Sequence, residues 1–269
     1  MIDICITTHH NPIKLEKCLT SIIDKTKGVD YRILLWCNDP NEAVKTIVDK
    51  FTTNNNFEPV FNKNNSGSFS SNNNNISKKG NAEYICFLND DCYPQNDDWL
   101  YNMSNILKTD EKVGVVGALL LYPDNRIQHC GVFFSNRTNN LPYHMHYRKP
   151  IDNVKDFVMV SRYYQAVTGA CILLRREDFK EIGGFCEEFY YMYEDIALCL
   201  DIKNKCHKSC VYCPSAVLTH DEGISKDGRQ NLRFKENIAI FKEKYFGKTY
   251  NDLEFYLENS KHLIYKFKG

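Results

Sequence analysis

The sequence predicts an α/β protein with a mixed, mainly parallel sheet flanked by helices. Three observations predict it. Short apolar runs alternate with amphipathic helical stretches through the first half of the chain. The run Tyr84-Ile85-Cys86-Phe87-Leu88 is apolar throughout, as suits a strand buried on both faces. Several runs also stop abruptly on polar, loop-forming residues. Parallel strands need right-handed crossovers, and their carboxyl ends are where ligands bind.

The elements follow in order. Residues 2–7 read as a first strand, ending in Thr7-Thr8-His9-His10-Asn11-Pro12. A helix over 13–25 places Leu15, Cys18, Leu19, Ile22 and Ile23 on one face. A second strand at 31–36 runs into Cys37-Asn38-Asp39-Pro40, and a helix over 42–51 turns Ala43, Val44, Ile47 and Val48 inward. Residues 52–81 are polar and asparagine-rich, including Asn64-Asn65-Ser66, and read as a low-complexity loop with an edge strand at 60–62 and a weak helix at 70–79. The buried strand then delivers Asn89-Asp90-Asp91.

A helix from Asp98-Trp99-Leu100 to about residue 107 comes next, followed by a strand at 113–121 and another in 128–134. Residues 135–160 are irregular and rich in His, Tyr and Arg, as a substrate-facing loop would be. A strand at 167–174 enters a helix that Gly183-Gly184-Phe185 stops. A helix at 195–203, a turn, and a strand extending to Thr219 lead to His220-Asp221-Glu222-Gly223. The tail, 232–267, reads as an amphipathic helix. These readings divide the chain into a domain over 1–225 and a helical extension over 226–269 packed on it.

Lys+Arg and Asp+Glu both total 34, and no basic stripe is present, so nucleic acid is not an expected partner. The first residues hold an acidic side chain and no basic cluster, as in a strand and not a signal peptide. No apolar stretch approaches the roughly 20 residues of a membrane span. The expected location is the cytosol. Packing is the favoured reading of the tail, and peripheral contact with the inner membrane face is the minor alternative.

Most of the twelve cysteines lie in apolar runs and read as small buried hydrophobes. Cys206, His207, Cys210 and Cys213 would make a cramped zinc site within eight residues, and a turn entering a strand is the better reading.

Two acidic pairs carry the chemistry. Asp90-Asp91 at a strand end needs a cation or hydrogen-bond donors to offset two adjacent charges. Asp91 with His220 offers an oxygen and a nitrogen ligand, suited to Mn2+ or Mg2+ beside a diphosphate. Glu194-Asp195 opens a helix, where the dipole favours carboxylates and a helix cap is the plain reading, though a cap would need only Asp195. The functional alternative is a general base against a sugar acceptor, with Tyr191 and Tyr193 close by.

Here the chain resembles a family. Asn89-Asp90-Asp91 with Trp99-Leu100, Val113-Gly114-Val115-Val116-Gly117, Ile127-Gln128-His129-Cys130-Gly131-Val132, the stretch from Thr168-Gly169-Ala170 to Arg175-Arg176, Gly183-Gly184-Phe185, Tyr193-Glu194-Asp195 and His220 occur in one order. That order resembles family 2 glycosyltransferases of the GT-A fold, most of all the bacterial rhamnosyltransferase-like members that build surface glycans. The resemblance covers about residues 1–225.

It implies an inverting, metal-dependent transfer of a sugar from a UDP- or dTDP-linked donor to a saccharide, lipid-linked or protein hydroxyl. Thr7 and His9 would line the nucleoside pocket and Asn38 would stand near the base. Asp90 would accept from the ribose, while Asp91 and His220 would hold the metal. Asp195 would be the base and Glu194 its neighbour. Gly169 and Ala170 would be small to admit the donor. Cys37, Asn89 and Ala197 stand where many members have acids.

A nucleotidyltransferase is the rival enzyme class, but it would need a glycine-rich loop, and residues 7–14 have no glycine. A non-catalytic nucleotide-sugar-binding module is the third reading, against which Asp91, Asp195 and His220 all stand.

Overall fold

A computed structural model of the chain describes residues 1–63, 67–190, 192–222, 230–258 and 261–267, with the side chains of 230–232 outside the description. Asn64-Asn65-Ser66, Tyr191 and Gly223 therefore lie outside the described residues.

The first half alternates as the pattern predicts. Strand β1 (Ile2–Thr8) leads to α1 (Pro12–Lys25), β2 (Tyr31–Asn38), α2 (Glu42–Phe51), β3 (Phe57–Asn62), α3 (Phe69–Ser77) and β4 (Tyr84–Asn89). These four strands are parallel, in the order β4-β1-β2-β3. Short β5 (Cys92–Pro94), α4 (Trp99–Thr109), β6 (Val113–Leu121), β7 (Ile127–His129), β8 (Val132–Phe134) and β9 (Pro142–His144) follow. Then come α5 (Lys155–Val158), β10 (Arg162–Tyr164), β11 (Cys171–Arg175), α6 (Arg176–Ile182), α7 (Glu194–Lys205) and β12 (Ser209–His220).

The main sheet runs β10-β12-β6-β11-β4-β1-β2-β3, with β5 on β12 and β7 on β6. Strand β11 is antiparallel to both its neighbours, which makes the sheet mixed.

Alternation along each strand divides the core. Ile4 and Ile6 of β1 face a cluster holding Leu15, Leu19, Trp99 and Leu100, whereas Cys5 faces one holding Phe179, Phe185 and Leu198. Helices α1, α2 and α4 thus cover one face, and α3, α6 and α7 the other.

Four regions differ from the sequence reading. The weak helix expected over 70–79 is α3, but its asparagines are built into the fold and are not a low-complexity loop: Ser68 caps α3 in a reciprocal bond with Ser71, and Asn72, Asn73 and Asn74 are buried. Asn74 donates to the Phe185 carbonyl at 2.9 Å and accepts from the Phe185 amide at 2.8 Å. The stretch expected as one strand in 128–134 divides between two sheets, because β7 pairs with β6 and β8 with β9. The region 135–160 holds β9, two 3-10 turns and α5.

The tail, expected as a single helix, is broken. Helix α8 (Gln230–Tyr245) ends before Gly247 in the left-handed region, and a short α9 (Leu253–Leu257) follows. Phe241, Tyr245, Tyr256 and Tyr265 are nonetheless buried against the body, and Asp252 accepts the Phe134 amide at 2.8 Å. Packing thus accounts for these aromatic residues.

One charged cluster ties the far edge of the sheet together. Asp3 is fully buried and accepts from Arg32 at 2.8 and 3.0 Å, from the Ala82 amide at 2.9 Å, and from Arg176. Arg176 also donates to the carbonyls of Ala82 and Ser77, each at 2.6 Å. β1, β2, the α3–β4 connection and α6 meet on this carboxylate. Replacing one member would leave buried charge without its partner. Asp3→Ala is expected to cost about 3–5 kcal/mol in urea unfolding; a loss under about 1 kcal/mol, the scale of an exposed pair, would show that the cluster is not a stabilising node.

Candidate active site

The carboxyl ends of β1, β4 and β12 and the start of α7 converge on one side of the sheet. Asp90 and Asp91 occupy the turn between β4 and β5. Thr8 Oγ1 donates to Asp90 Oδ2 at 2.6 Å. Burial pushes the Asp90 carboxyl up to about 6, and the Thr8 bond opposes that rise.

The pairing of β5 with β12 sets Cys92 opposite His220. This register brings His220 Nε2 to 3.1 Å from Asp91 Oδ1, and the Asp221 amide donates to the Asp91 carbonyl at 2.9 Å.

Lys14, on α1, was not singled out by the sequence. Its ammonium stands 3.5 Å from Asp91 Oδ2 and 3.8 Å from the Asp221 carboxylate, and it also donates to the Asp221 carbonyl. Its position two residues inside a helix that starts at a strand end is the signal that could have found it.

A divalent cation fits this place on chemical grounds. Ligand atoms of Asp91, Cys92 and His220 lie within 4.8 Å of one another. The carboxylate and imidazole are hard and borderline donors suited to Mn2+ or Mg2+, and the buried thiol of Cys92 is held well above its usual range by burial. Asp91 and His220 are the fitting pair. Among the described residues, Cys206, His207, Cys210 and Cys213 form no such group; Cys210 and Cys213 are buried in the body.

The second acidic pair is built differently. Met192 and Tyr193, just before α7, both have φ of 72°, a left-handed conformation costing non-glycine residues on the order of 1–3 kcal/mol each. Strain of this kind is tolerated where a site over-determines it. Asp195 accepts the Gly169 amide on Oδ2 at 2.7 Å and the Ile196 amide on Oδ1 at 2.8 Å. The two bonds fix the carboxylate without spending all its lone pairs.

A Cβ at Gly169 would stand 2.9 Å from the Asp195 Cβ. Closeness to Asp195 is thus one physical reason for glycine at this position. Ala170 is buried and its carbonyl accepts the Asn89 amide at 3.0 Å, which joins the two acidic loops through β4 and β11.

A cavity of about 310 Å³ holds these parts together. Asn89, Gly169, Ala170, Glu194, Asp195 and His220 all line it. Glu194 Oε2 is enclosed without a hydrogen-bond partner among the described residues. Burial, reinforced by the Asp195 charge, pushes the Glu194 carboxyl up to about 8.

The expected nucleoside-side residues lie apart from this cavity. Thr7 is half-buried on β1, between Trp36 and Asn89. His9 is exposed and stacked on His10 at 3.6 Å. Asn38 is buried and accepts from Asn62 at 2.9 Å. Thr8, not Thr7, reaches the acidic pair.

The layered mixed sheet, with acidic residues at its ligand edge, defines the class: a GT-A fold, the architecture of nucleotide-sugar transferases. GalNAc-T7, solved with UDP, GalNAc and Mn2+, superposes with a TM-score of 0.68 at 15% identity, covering 84% of this chain and 44% of that one. The mannosyltransferase PcManGT of Pyrobaculum calidifontis, in complex with GDP-Man and Mn2+, gives 0.65 at 13%, covering 95% and 67%.

The glycosyl transferase family 2 model matches residues 3–183, and the chain belongs to that family. An uncharacterized protein of Sinorhizobium fredii, y4gI, is 32% identical over 184 residues, 66% of this chain and 20% of that protein. The O-antigen biosynthesis protein RfbC of Myxococcus xanthus is 26% identical over 234 residues, 84% of this chain and 18% of that protein. The chain thus spans about a fifth of the length of the curated relatives it matches.

Among the described residues, no helix is long and apolar enough to cross a membrane.

The raised Glu194 carboxyl has a testable sign. Its folded value lies above the ordinary 4.5, so the stability tied to its protonated form is present below about 4.5 and lost as pH rises to about 8. Glu194→Gln should match the wild type in urea unfolding near pH 4 and exceed it near pH 8. A difference independent of pH would contradict the burial of this carboxyl.

Proposed function

We propose that this domain is an inverting, divalent-metal-dependent glycosyltransferase. It would move a sugar from a nucleotide-sugar donor to a hydroxyl acceptor in surface glycan synthesis. The observation that carries the reading is the shared cavity: Asp195, held by two backbone amides, lines the same space as His220, which stands against Asp91. Support also comes from the relatives: the Myxococcus protein is named for O-antigen biosynthesis, and both solved neighbours carry a nucleotide or nucleotide sugar with Mn2+.

Asp90 and Thr8 are assigned to the ribose side of the donor, and Thr7, His9 and Asn38 to the nucleoside. Asp91 and His220 would hold Mn2+ or Mg2+, which when bound neutralises charge on the diphosphate. The Lys14 ammonium is placed to add a second positive charge there. Gly169 and Ala170 leave room beside Asp195 for the donor sugar. The region 226–269 is assigned as an extension packed on the catalytic domain, and the cytosol as its location.

In the transfer, the acceptor oxygen attacks C1 of the donor sugar. Its proton passes to the Asp195 carboxylate while the bond from C1 to the phosphate oxygen breaks on the opposite face. One displacement inverts the anomeric centre, and no enzyme nucleophile is needed. The protonated Glu194 carboxyl beside Asp195 can donate a hydrogen bond to a sugar oxygen. It also avoids placing a second negative charge next to the base.

Asp195→Asn keeps the shape and removes the base. It is expected to lower transfer by about two or more orders of magnitude while leaving donor binding by calorimetry within about twofold. Undiminished turnover in this variant would sink the assignment.

A further inference from the structure

The motif Ile127-Gln128-His129 has no part in the chemistry above, yet it helps to build a wall of the cavity that holds Asp195. Gln128 and His144 line this cavity, with His129 fully buried in contact with His144. The Nδ1 atoms of His129 and His144 are 3.0 Å apart. The Thr168 amide donates to His129 Nε2 at 3.4 Å.

A backbone amide can only donate, so His129 Nε2 is an acceptor and the ring proton sits on Nδ1. That proton points at His144 Nδ1, which must accept it. Neutral His144, which lines the cavity, therefore carries its proton on Nε2. Burial pushes both imidazoles down from the ordinary histidine range, in favour of the neutral forms this chain of bonds requires. A further proton on either ring would set two donors against each other.

The backbone couples this arrangement to the proposed base. Thr168 donates to His129, and the next amide, Gly169, donates to Asp195. Gln128, on the same wall, has a buried Oε1 with no hydrogen-bond partner among the described residues. An N–H donor on this wall suits a hydroxyl oxygen, which can accept from it.

We propose that His129 and His144 form a tautomer-locked relay that presents His144 Nε2–H to a hydroxyl oxygen of the sugar acceptor and so seats the acceptor beside Asp195. The proposal rests on the glycosyl-transfer reading above. His144 would touch the substrate, and His129 is a positioning residue acting through it.

Long-range 15N–1H correlation spectra of the full chain at about pH 7.5 report the proton on each ring nitrogen. The expected result is His129 protonated on Nδ1 and His144 on Nε2. The opposite tautomer in either ring, or an imidazolium, overturns the relay.

Transfer is then followed as nucleoside diphosphate release from the nucleotide sugar that the wild type turns over, with methyl glycosides as acceptor probes and water as control. His144→Gln keeps an N–H and should retain acceptor kcat/KM within about threefold, whereas His144→Phe should lose on the order of tenfold, well beyond any loss in release to water. His129→Phe should lower acceptor kcat/KM like His144→Phe and no longer hold His144 as the Nε2–H form. Equal losses in transfer and in release to water overturn the acceptor role. Correct tautomers in a chain that transfers nothing would refute the proposed function, and wrong tautomers with intact transfer would refute the relay alone.

Discussion

Three residues of antiparallel pairing hold the candidate site together. Strand β5 lies against the end of β12 with Cys92 opposite His220, and this register alone sets His220 Nε2 3.1 Å from Asp91. The two residues are 129 positions apart in the chain. A slip of one position would turn His220 to the other face of the sheet. The Asp221 amide on the Asp91 carbonyl and the Lys14 ammonium on both acids reinforce the same register.

Around that contact, each charge meets a different compensation. Asp90 is relieved by the Thr8 hydroxyl and by a carboxyl pushed up to about 6. Asp91 has an imidazole and an ammonium. Asp195 has two backbone amides, and Glu194 has no partner for Oε2 among the described residues and is pushed up to about 8. Four carboxylates so treated cannot be interchangeable. Asp91, with basic neighbours, suits a cation and a diphosphate, the one held by amides suits a base, and the protonated one suits a hydrogen-bond donor.

Much of this was legible in the sequence because the signals are local. The apolar run ending on Asn89-Asp90-Asp91 gave a strand and its ligand edge, and Gly183 gave the helix stop, with φ of 88°. What was not legible depends on contacts across the chain. Nothing near residue 14 says that its ammonium will reach Asp221, and nothing near Asn74 says that it will cap the Phe185 backbone. The tail has an amphipathic composition over its whole length, yet Gly247 breaks it and tertiary packing decides where each aromatic residue goes. Thr7 and Thr8 stand at one strand end, and only the pleat decides that Thr8 is the one to reach Asp90.

In the proposed function, Asp91 and His220 bind a metal that makes a nucleoside diphosphate site. Calorimetric titration of the protein with UDP, dTDP and GDP, in Mn2+ and in EDTA, tests it most directly. One of these nucleotides should bind in Mn2+, with EDTA or Asp91→Asn weakening it by at least about tenfold. Binding of equal strength in EDTA, or none of the three binding in Mn2+, would contradict the account.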